Sequence, residues 1–238
     1  MTTIMMITGA TKGLGRALAW YYGRKGYALA VTARTENDLV QLASALQAEN
    51  IPVVAVAGDM AKAEDAERFA ALTLARYNKV DVLINNASIF GPGPSLLLDY
   101  PDAAFQEVLL TNTLIPYFLT KQILPTMLAR DSGIVITLTS EAGKTGFAEW
   151  GAYGISKFAV EGMVQTWADE VADSNVRFHL VDPGEMDTDM HAQALPDCDY
   201  PLDPPQKRLA VFDYLIEEGA ANGSREEAII HQQKEGER

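Results

Sequence analysis

This 238-residue chain has one cysteine, three histidines and only 19 basic residues against 32 acidic ones, and each scarcity closes off a class of function. Cys198 alone cannot form an internal disulfide, which fits a reducing compartment. Its neighbours in Pro196-Asp197-Cys198-Asp199 are acidic and oppose the thiolate that a nucleophile needs. His179, His191 and His231 are too scattered to form a metal cluster, so no metal site is expected. His179 reads as a strand residue, His191 as a loop residue within possible reach of a substrate, and His231 as part of a solvated tail. The 19 bases face 32 acids, and a net charge of −13 opposes binding to nucleic acid or to an anionic membrane. Apolar runs such as Val53–Ala57 and Ile134–Leu138 fall far short of the ~20 residues that a membrane-spanning helix needs. The start, Met1-Thr-Thr-Ile-Met-Met-Ile-Thr-Gly, lacks the basic region and cleavage site of a signal peptide. A cytoplasmic chain with neither nucleic acid nor membrane as partner is therefore expected.

What is present is ample apolar content, 48%, enough for a substantial core. Short β-branched runs alternate with longer segments of helical period, the pattern of a parallel sheet covered by helices on both faces. Strands are expected near Ile4–Thr8, Ala28–Ala33, Val53–Ala57, Val80–Asn85, Gly133–Thr139 and Val176–Asp182. Helices are expected over Gly13–Lys25, Glu36–Glu49, Ala63–Tyr77, Ala103–Ala129, Ala152–Ala172 and Pro205–Glu218. No break in composition and no fixed repeat marks a second domain, so residues 1–238 read as a single α/β domain. Two loops stand apart: Gly91-Pro92-Gly93-Pro94, and Glu185–Pro205, which is either a functional flap or a disordered stretch. Both follow strands at the edge where open α/β sheets bind ligands. Residues Ser224–Arg238 are strongly charged and read as a frayed tail.

Thr8-Gly9-Ala10-Thr11-Lys12-Gly13-Leu14-Gly15 ends the first strand and opens the first helix. Gly9 permits the tight turn, Gly13 lets backbone amides approach a pyrophosphate, and Gly15 allows close packing of the helix. The helix N-terminus then faces the anion. Which dinucleotide binds depends on the end of the second strand. An acid there accepts bonds from the ribose hydroxyls of NAD, whereas an arginine can hold the extra phosphate of NADP. The strand ends Val31-Thr32-Ala33-Arg34, and Lys12 adds a second cation, so NADP(H) is expected. NAD stays open, because Glu36 would become the ribose acid if the strand ran longer. Asp59 closes the third strand, within reach of the adenine edge. Asn85-Asn86-Ala87 closes the fourth, where asparagines can equally satisfy turn backbone.

Three tyrosine–lysine pairs share a spacing of four residues: Tyr21/Lys25, Tyr117/Lys121 and Tyr153/Lys157. A cation beside a phenol favours the phenolate and brings proton transfer towards neutral pH. Only Tyr153/Lys157 follows a strand-terminal hydroxyl, Ser140, at the rim where the ligand edge is expected. The other two read as packing or surface pairs.

Thr8–Gly15, Asp59, Asn85-Asn86-Ala87, Asn112, Ser140, Tyr153, Lys157 and Pro183-Gly184 with Thr188 together resemble the short-chain dehydrogenase/reductase family in its short, single-domain form, over residues 4 to 190. The resemblance implies a Rossmann-type doubly wound sheet with strand order 3-2-1-4-5-6-7. It also implies a cofactor site made by Thr8, Gly9, Thr11, Lys12, Gly13, Leu14, Gly15, Arg34, Asp59, Met60, Asn86, Ala87, Tyr153, Lys157, Pro183, Gly184, Met186 and Thr188. Ser140 would then bond the substrate oxygen and Tyr153 would be the general acid in reduction and base in oxidation. Lys157 would hold nicotinamide ribose and lower the phenol pKa. Asn112 would hold a water that passes protons to Lys157, although a polar residue that bends a helix is the competing reading.

Departures from the family pattern are Ser88, where glycine is usual, and the C-terminus, where Asn222-Gly223-Ser224-Arg225 looks like a shortened last strand. Glu185, Met186, His191 and Leu195 on the flap, with Phe147 and Trp150 before Tyr153, are candidate substrate contacts. The expected activity is NADP(H)-dependent hydride transfer with a small carbonyl or secondary alcohol substrate. A 3-oxoacyl-thioester reductase and a non-catalytic NADP(H) sensor are the alternatives. The long apolar helices resemble the family's pairing surface, which implies a homodimer or homotetramer.

Overall fold

The structure, a computed structural model, describes residues 2–232. Seven parallel strands form one sheet: β1 (Ile4–Thr8), β2 (Ala28–Ala33), β3 (Val53–Ala57), β4 (Val82–Asn85), β5 (Gly133–Leu138), β6 (Val176–Asp182) and β7 (Arg225–Glu227), in the order β3-β2-β1-β4-β5-β6-β7. The inner strands β1, β4 and β5 are buried along their whole length, as near-continuous apolar runs covered on both faces must be. Alternation then divides the core. Met5 and Ile7 pack on one face with α1 (Gly13–Arg24) and α2 (Glu36–Ala48), while Met6 packs on the other with α3 (Ala63–Tyr77), α4 (Asp102–Ala129) and α5 (Gly151–Glu170). Among the described residues no helix is long and apolar enough to cross a membrane.

Sequence and structure part company at the fourth strand and at the chain's C-terminal end. The fourth strand starts at Val82 rather than Val80, because Asp81 turns its carboxylate to Ile4 N–H, Lys79 and Arg130 at the strand's entrance. The expected helix Pro205–Glu218 is broken into a 3-10 turn (Pro205–Arg208), one turn of helix between α6 (Asp189–Ala194) and β7, here α7 (Ala210–Asp213), and a wide turn (Tyr214–Glu218) closed by Gly219 at φ 84°. Its side chains are owed in different directions, which one straight helix cannot satisfy. Arg208 turns inward to the carbonyls of Pro183 and Glu185, and Asp213 is taken by Tyr21, Tyr22 and Lys25.

The expected frayed tail is also corrected for the residues described. Leu180–Asp182 of β6 pair with Arg225–Glu227. His231 is no solvated residue: its Nε2 lies 3.0 Å from Glu226 and its ring lies against Tyr214. The rest of the tail, 233–238, falls outside the described residues. The long loop after β6 is an ordered flap. It contains α6, and Asp187 N–H donates to the Asp203 carbonyl across its neck.

Candidate active site

The carboxyl ends of β1 and β4 are laced together first. Thr8 Oγ1 accepts from the N–H groups of Asn86 and Ala87, both at 2.9 Å, and Asn86 Nδ2 donates to the carbonyls of Thr8 and Gly9. The Thr8 hydroxyl, expected among cofactor contacts, is therefore spent inside the protein, and the turn-satisfying reading of Asn86 holds. This lacing packs the turn too tightly for a side chain. A Cβ on Gly15 would lie 2.3 Å from the Gly9 oxygen and 2.5 Å from Asn86 Nδ2, and Gly9 and Gly13 sit at φ +64° and +50°. Helix α1 starts there with no side-chain cap and no acid in its first turn, so its positive end stays open to an anion. Thr11 lies partly exposed in the turn and Leu14 is buried behind it. Lys12 reaches across to Asp189 at 3.0 Å, an exposed bridge between glycine loop and flap.

On the other side of β1, β2 ends at Ala33, so Arg34 is the charged residue at its tip and Glu36 already belongs to α2. The ribose-acid alternative for Glu36 thereby loses its premise. Arg34 is exposed, with Nη1 4.0 Å from Glu107 of α4. Asp59 lies two residues beyond β3, where its Oδ1 accepts from Ala61 N–H, and Met60 is buried beside it. At the end of β4, Asn85 Nδ2 donates to the hydroxyls of Thr120 and Thr137. Ser88 follows with its Oγ buried and unpartnered.

All three tyrosine–lysine pairs adopt the same local geometry. Lys25, Lys121 and Lys157 place Nζ 5.1, 5.8 and 5.4 Å from their tyrosine ring centroids. Burial separates them. Lys25 is claimed by Asp213 and Glu217, and Tyr117 is exposed, whereas Tyr153 and Lys157 are both buried. Ser140 ends the strand segment before them and caps a 3-10 turn, its Oγ accepting from Ala142 N–H.

The expected effect of the lysine on the phenol is corrected by this arrangement. Burial pushes Tyr153 up to about 12, against a downward pull from hydrogen bonding by Ser140 and with a further push from Asp182. Lys157 is itself lowered to about 8 by burial, against upward pulls from Asp182 and Glu161. Its Nζ donates to the Leu138 carbonyl at 2.9 Å rather than to the phenol. Desolvation, which disfavours whichever form is charged, is the largest cause at both groups.

Asn112 works as a staple. Its Nδ2 donates to the Ile89 carbonyl and the Ser156 hydroxyl, and its Oδ1 accepts from Ile89 N–H. Ser156 in turn donates to the Tyr153 carbonyl, so one amide ties the loop after β4 to the first turn of α5. The amide donors are therefore not available to a water. Pro116, however, has no N–H to give the main-chain carbonyl of Asn112 four residues earlier. That carbonyl loses its regular helical partner while α4 stays unbroken.

Beyond β6, Pro183 accepts from Arg208, Gly184 at φ +65° donates to Asp182, and Met186 accepts from Thr188 Oγ1. Thr188 also caps α6 by accepting from His191 N–H, and a Cβ on Gly13 would meet its Cγ2 at 3.4 Å. The flap thus lies directly on the glycine loop. Glu185 takes Tyr200 at 2.8 Å and His191 at 3.3 Å, with His191 Nδ1 buried and unpartnered. Leu195 closes α6, and its N–H donates to the His191 carbonyl. Gln193 donates to the Gly91 carbonyl, which links the two loops that the sequence set apart. Trp150 and Phe90 pack against Tyr153, and Phe147 packs against the far side of Trp150.

Arg225 was missed. From β7 it reaches Glu161 at 2.9 Å, Asp182 at 3.1 Å and the Ser140 carbonyl at 3.1 Å. The sequence signal was its place at the end of Asn222-Gly223-Ser224-Arg225, the expected short last strand, which gives no sign of where the side chain points.

Comparison with known proteins agrees with this geometry. The family model of short chain dehydrogenases matches residues 3–199. The uncharacterised oxidoreductase YciK of Escherichia coli K12 is 32% identical over 215 residues, 89% of this chain and 82% of its own length. A short chain dehydrogenase from Salmonella enterica serovar Typhi superposes with a TM-score of 0.90 at 30% identity, covering 95% of this chain and 96% of its own. One from Escherichia coli CFT073, solved in complex with NADPH, gives 0.87 at 31% identity over 95% and 96%.

Proposed function

The chain belongs to the short-chain dehydrogenase family and is an oxidoreductase, and we propose that it transfers a hydride between NADP(H) and a carbonyl or secondary alcohol, as one domain in the cytoplasm. The observation that carries this reading is the burial of Tyr153 and Lys157 beside Ser140 at the same sheet edge as the glycine loop.

The residues fit the cofactor. Gly9 and Gly15 let the turn close against Asn86 and Ala87 without a clash, α1 presents an uncapped N-terminus, and Ser88 Oγ is a buried hydroxyl with no internal partner. Gly9 through Gly15 would take the pyrophosphate, Arg34 and Lys12 the extra phosphate, and Asp59 and Met60 the adenine. Asn86, Ala87, Pro183, Gly184, Met186 and Thr188 would frame the nicotinamide. The NADPH complex of the Escherichia coli CFT073 relative supports that choice. When bound, the nicotinamide supplies or accepts the hydride.

The protein's own groups handle the proton. Tyr153, pushed up to about 12, stays protonated at neutral pH and so holds a proton ready for an oxygen that gains charge in reduction. Ser140 donates to the same oxygen and stabilises that charge. Lys157 loses burial cost once it gains hydroxyl acceptors, and the freed carbonyl of Asn112 accepts a water that resupplies protons. Exposed Leu110, Tyr117 and Leu128 on α4 with Ile155 and Phe158 on α5 support pairing of subunits, as a homodimer or homotetramer.

The test is NADPH oxidation with ketones, aldehydes and quinones, wild type beside Tyr153→Phe. Turnover that drops by about 10²-fold or more in the variant is the expected result. NADPH binding without turnover of any compound would mark a sensor, and turnover that survives the phenylalanine would remove the mechanism.

A further inference from the structure

The surroundings of Tyr153 differ in chemistry from the rest of the sheet edge. Phe90, Ala142, Tyr153 and Ala194 form a small apolar cluster separate from the two main cores, with Trp150 and Met190 packed on it. Ring centroids run outward as a continuous path. Tyr153 lies 5.4 Å from Phe90 and 5.9 Å from Trp150, Phe90 lies 5.2 Å from Trp150, and Trp150 lies 5.8 Å from Phe147, which is 45% exposed. The apolar surface continues outside. Ser95 bridges to Trp150, and the residues that follow, Leu96 to Leu98, are exposed, Leu98 at 93%. Contiguous exposed leucines beside an aromatic path to a buried phenol form an apolar patch of the kind that marks a ligand's route.

The flap's own charge has one sign. From Glu185 to Pro204 it carries six acids and no lysine or arginine. Two of the six are neutralised from outside, Asp189 by Lys12 and Asp203 by Arg208 and Lys207. Glu185 is held by Tyr200 and His191. Lys144, which follows the turn after Ser140, is 3.6 Å from Glu227. A segment with this excess of negative charge beside a site favours neutral or cationic ligands over anionic ones.

We propose that the substrate is a neutral or cationic compound whose carbonyl or alcohol carbon bears an aryl or comparably bulky apolar group, and that carboxylates, phosphates and acyl groups on acidic carriers are disfavoured. This rests on Tyr153 being the proton donor, and it narrows the alternatives within that reading against a 3-oxoacyl-thioester reductase. The apolar group lies along Phe90 and Trp150. Met190 and Ala194, which hold that place in the flap's present position, give way to it.

The experiment compares four matched ketones in NADPH oxidation: an unsubstituted phenyl ketone, its ring-carboxylate and ring-ammonium analogues, and a small aliphatic ketone. The phenyl and ammonium compounds should exceed the carboxylate in kcat/KM by about tenfold or more at low salt, a gap that narrows at 1 M salt where charges are screened beyond about 3 Å. Trp150→Ala should lower kcat/KM for the phenyl ketone about tenfold more than for the aliphatic one, within the range by which pocket contacts discriminate. A carboxylate turned over as well as the phenyl ketone at low salt, or an equal loss for both ketones in the variant, would overturn the proposal. Binding of the same compounds to the NADPH-loaded protein, read by calorimetry, separates it from the reaction itself. Tighter binding of phenyl over carboxylate without turnover supports the class and refutes the activity, whereas binding of neither refutes the class.

Discussion

Arg225 Nη2 donates to the main-chain oxygen of Ser140 at 3.1 Å, so the last strand of the sheet holds the hydroxyl-bearing residue at the centre of the site. The same guanidinium faces Glu161 and Asp182, both largely buried, and these reach Thr139 Oγ1 and Gly184 N–H. One cation therefore fixes both segments that flank Tyr153. Its pKa is raised above the ordinary arginine range, with desolvation opposing and hydrogen bonding by Glu161 favouring the charge.

Removing that cation leaves carboxylates buried without their partner, a change that costs roughly 3–5 kcal/mol. Arg225→Met should lower the urea midpoint accordingly, and Arg225→Lys should recover part of the loss. If Ser140 is positioned by Arg225, the lysine variant will also show reduced kcat at unchanged NADPH affinity while still folded. A fully active, destabilised Arg225→Met would confine the residue to stability.

Rate against pH should report Lys157 before Tyr153. With the lysine lowered to about 8 and the phenol raised to about 12, the first group to lose a proton on raising pH from neutrality is the ammonium. Reductive kcat/KM is expected to be flat below that point and to fall above about 8, and NADPH affinity to weaken over the same range. Lys157→Met should be slow at every pH and lack the limb near 8. A wild-type limb that persists in this variant would assign the titration elsewhere.

The architecture was legible because parallel strands are buried on both faces and so read as uninterrupted apolar runs, as Ile4–Thr8 and Gly133–Leu138 do. The reactive pair was legible only through Ser140, since Tyr21/Lys25 and Tyr117/Lys121 share its spacing and its local geometry. What escaped was non-local. Nothing near Arg225 in sequence announces Glu161, 64 residues away, or Ser140, 85 residues away. The sign of the Tyr153 shift escaped for a related reason. Spacing places the cation but does not reveal how much water both groups lose, and here desolvation wins.

Cofactor preference rests on two exposed cations that already have acidic neighbours. Arg34 lies 4.0 Å from Glu107 and Lys12 lies 3.0 Å from Asp189, bridges of the solvent-exposed kind that contribute about 0–1 kcal/mol and yield readily to a phosphate. Arg34→Ala is expected to cut the preference for NADPH over NADH by about tenfold or more, on the scale of a lost charge-assisted bond. Asp189→Asn should tighten NADPH by freeing Lys12. The check is kcat/KM for each cofactor at fixed ionic strength, and an unaltered ratio in Arg34→Ala would remove the phosphate contact.

Acid should destabilise the fold through His179, a group outside the reaction. It is buried in β6 with Nδ1 2.9 Å from Ser224 Oγ and Nε2 unpartnered, and its pKa is lowered to about 4 by burial first, then by Arg177, against an upward pull from Glu226. Between its unfolded value of 6.5 and about 4 the unfolded chain binds the extra proton, so stability must fall as pH falls through that window. A shift of this size corresponds to about 3 kcal/mol when the window has been crossed. Carboxylates add their own acid sensitivity, so the quantity to measure is the difference between wild type and His179→Gln in urea melts from pH 7 to 4. The wild type should lose more stability than the variant, with the gap opening below pH 6.5. Parallel curves would show that His179 keeps an ordinary proton affinity in the folded protein.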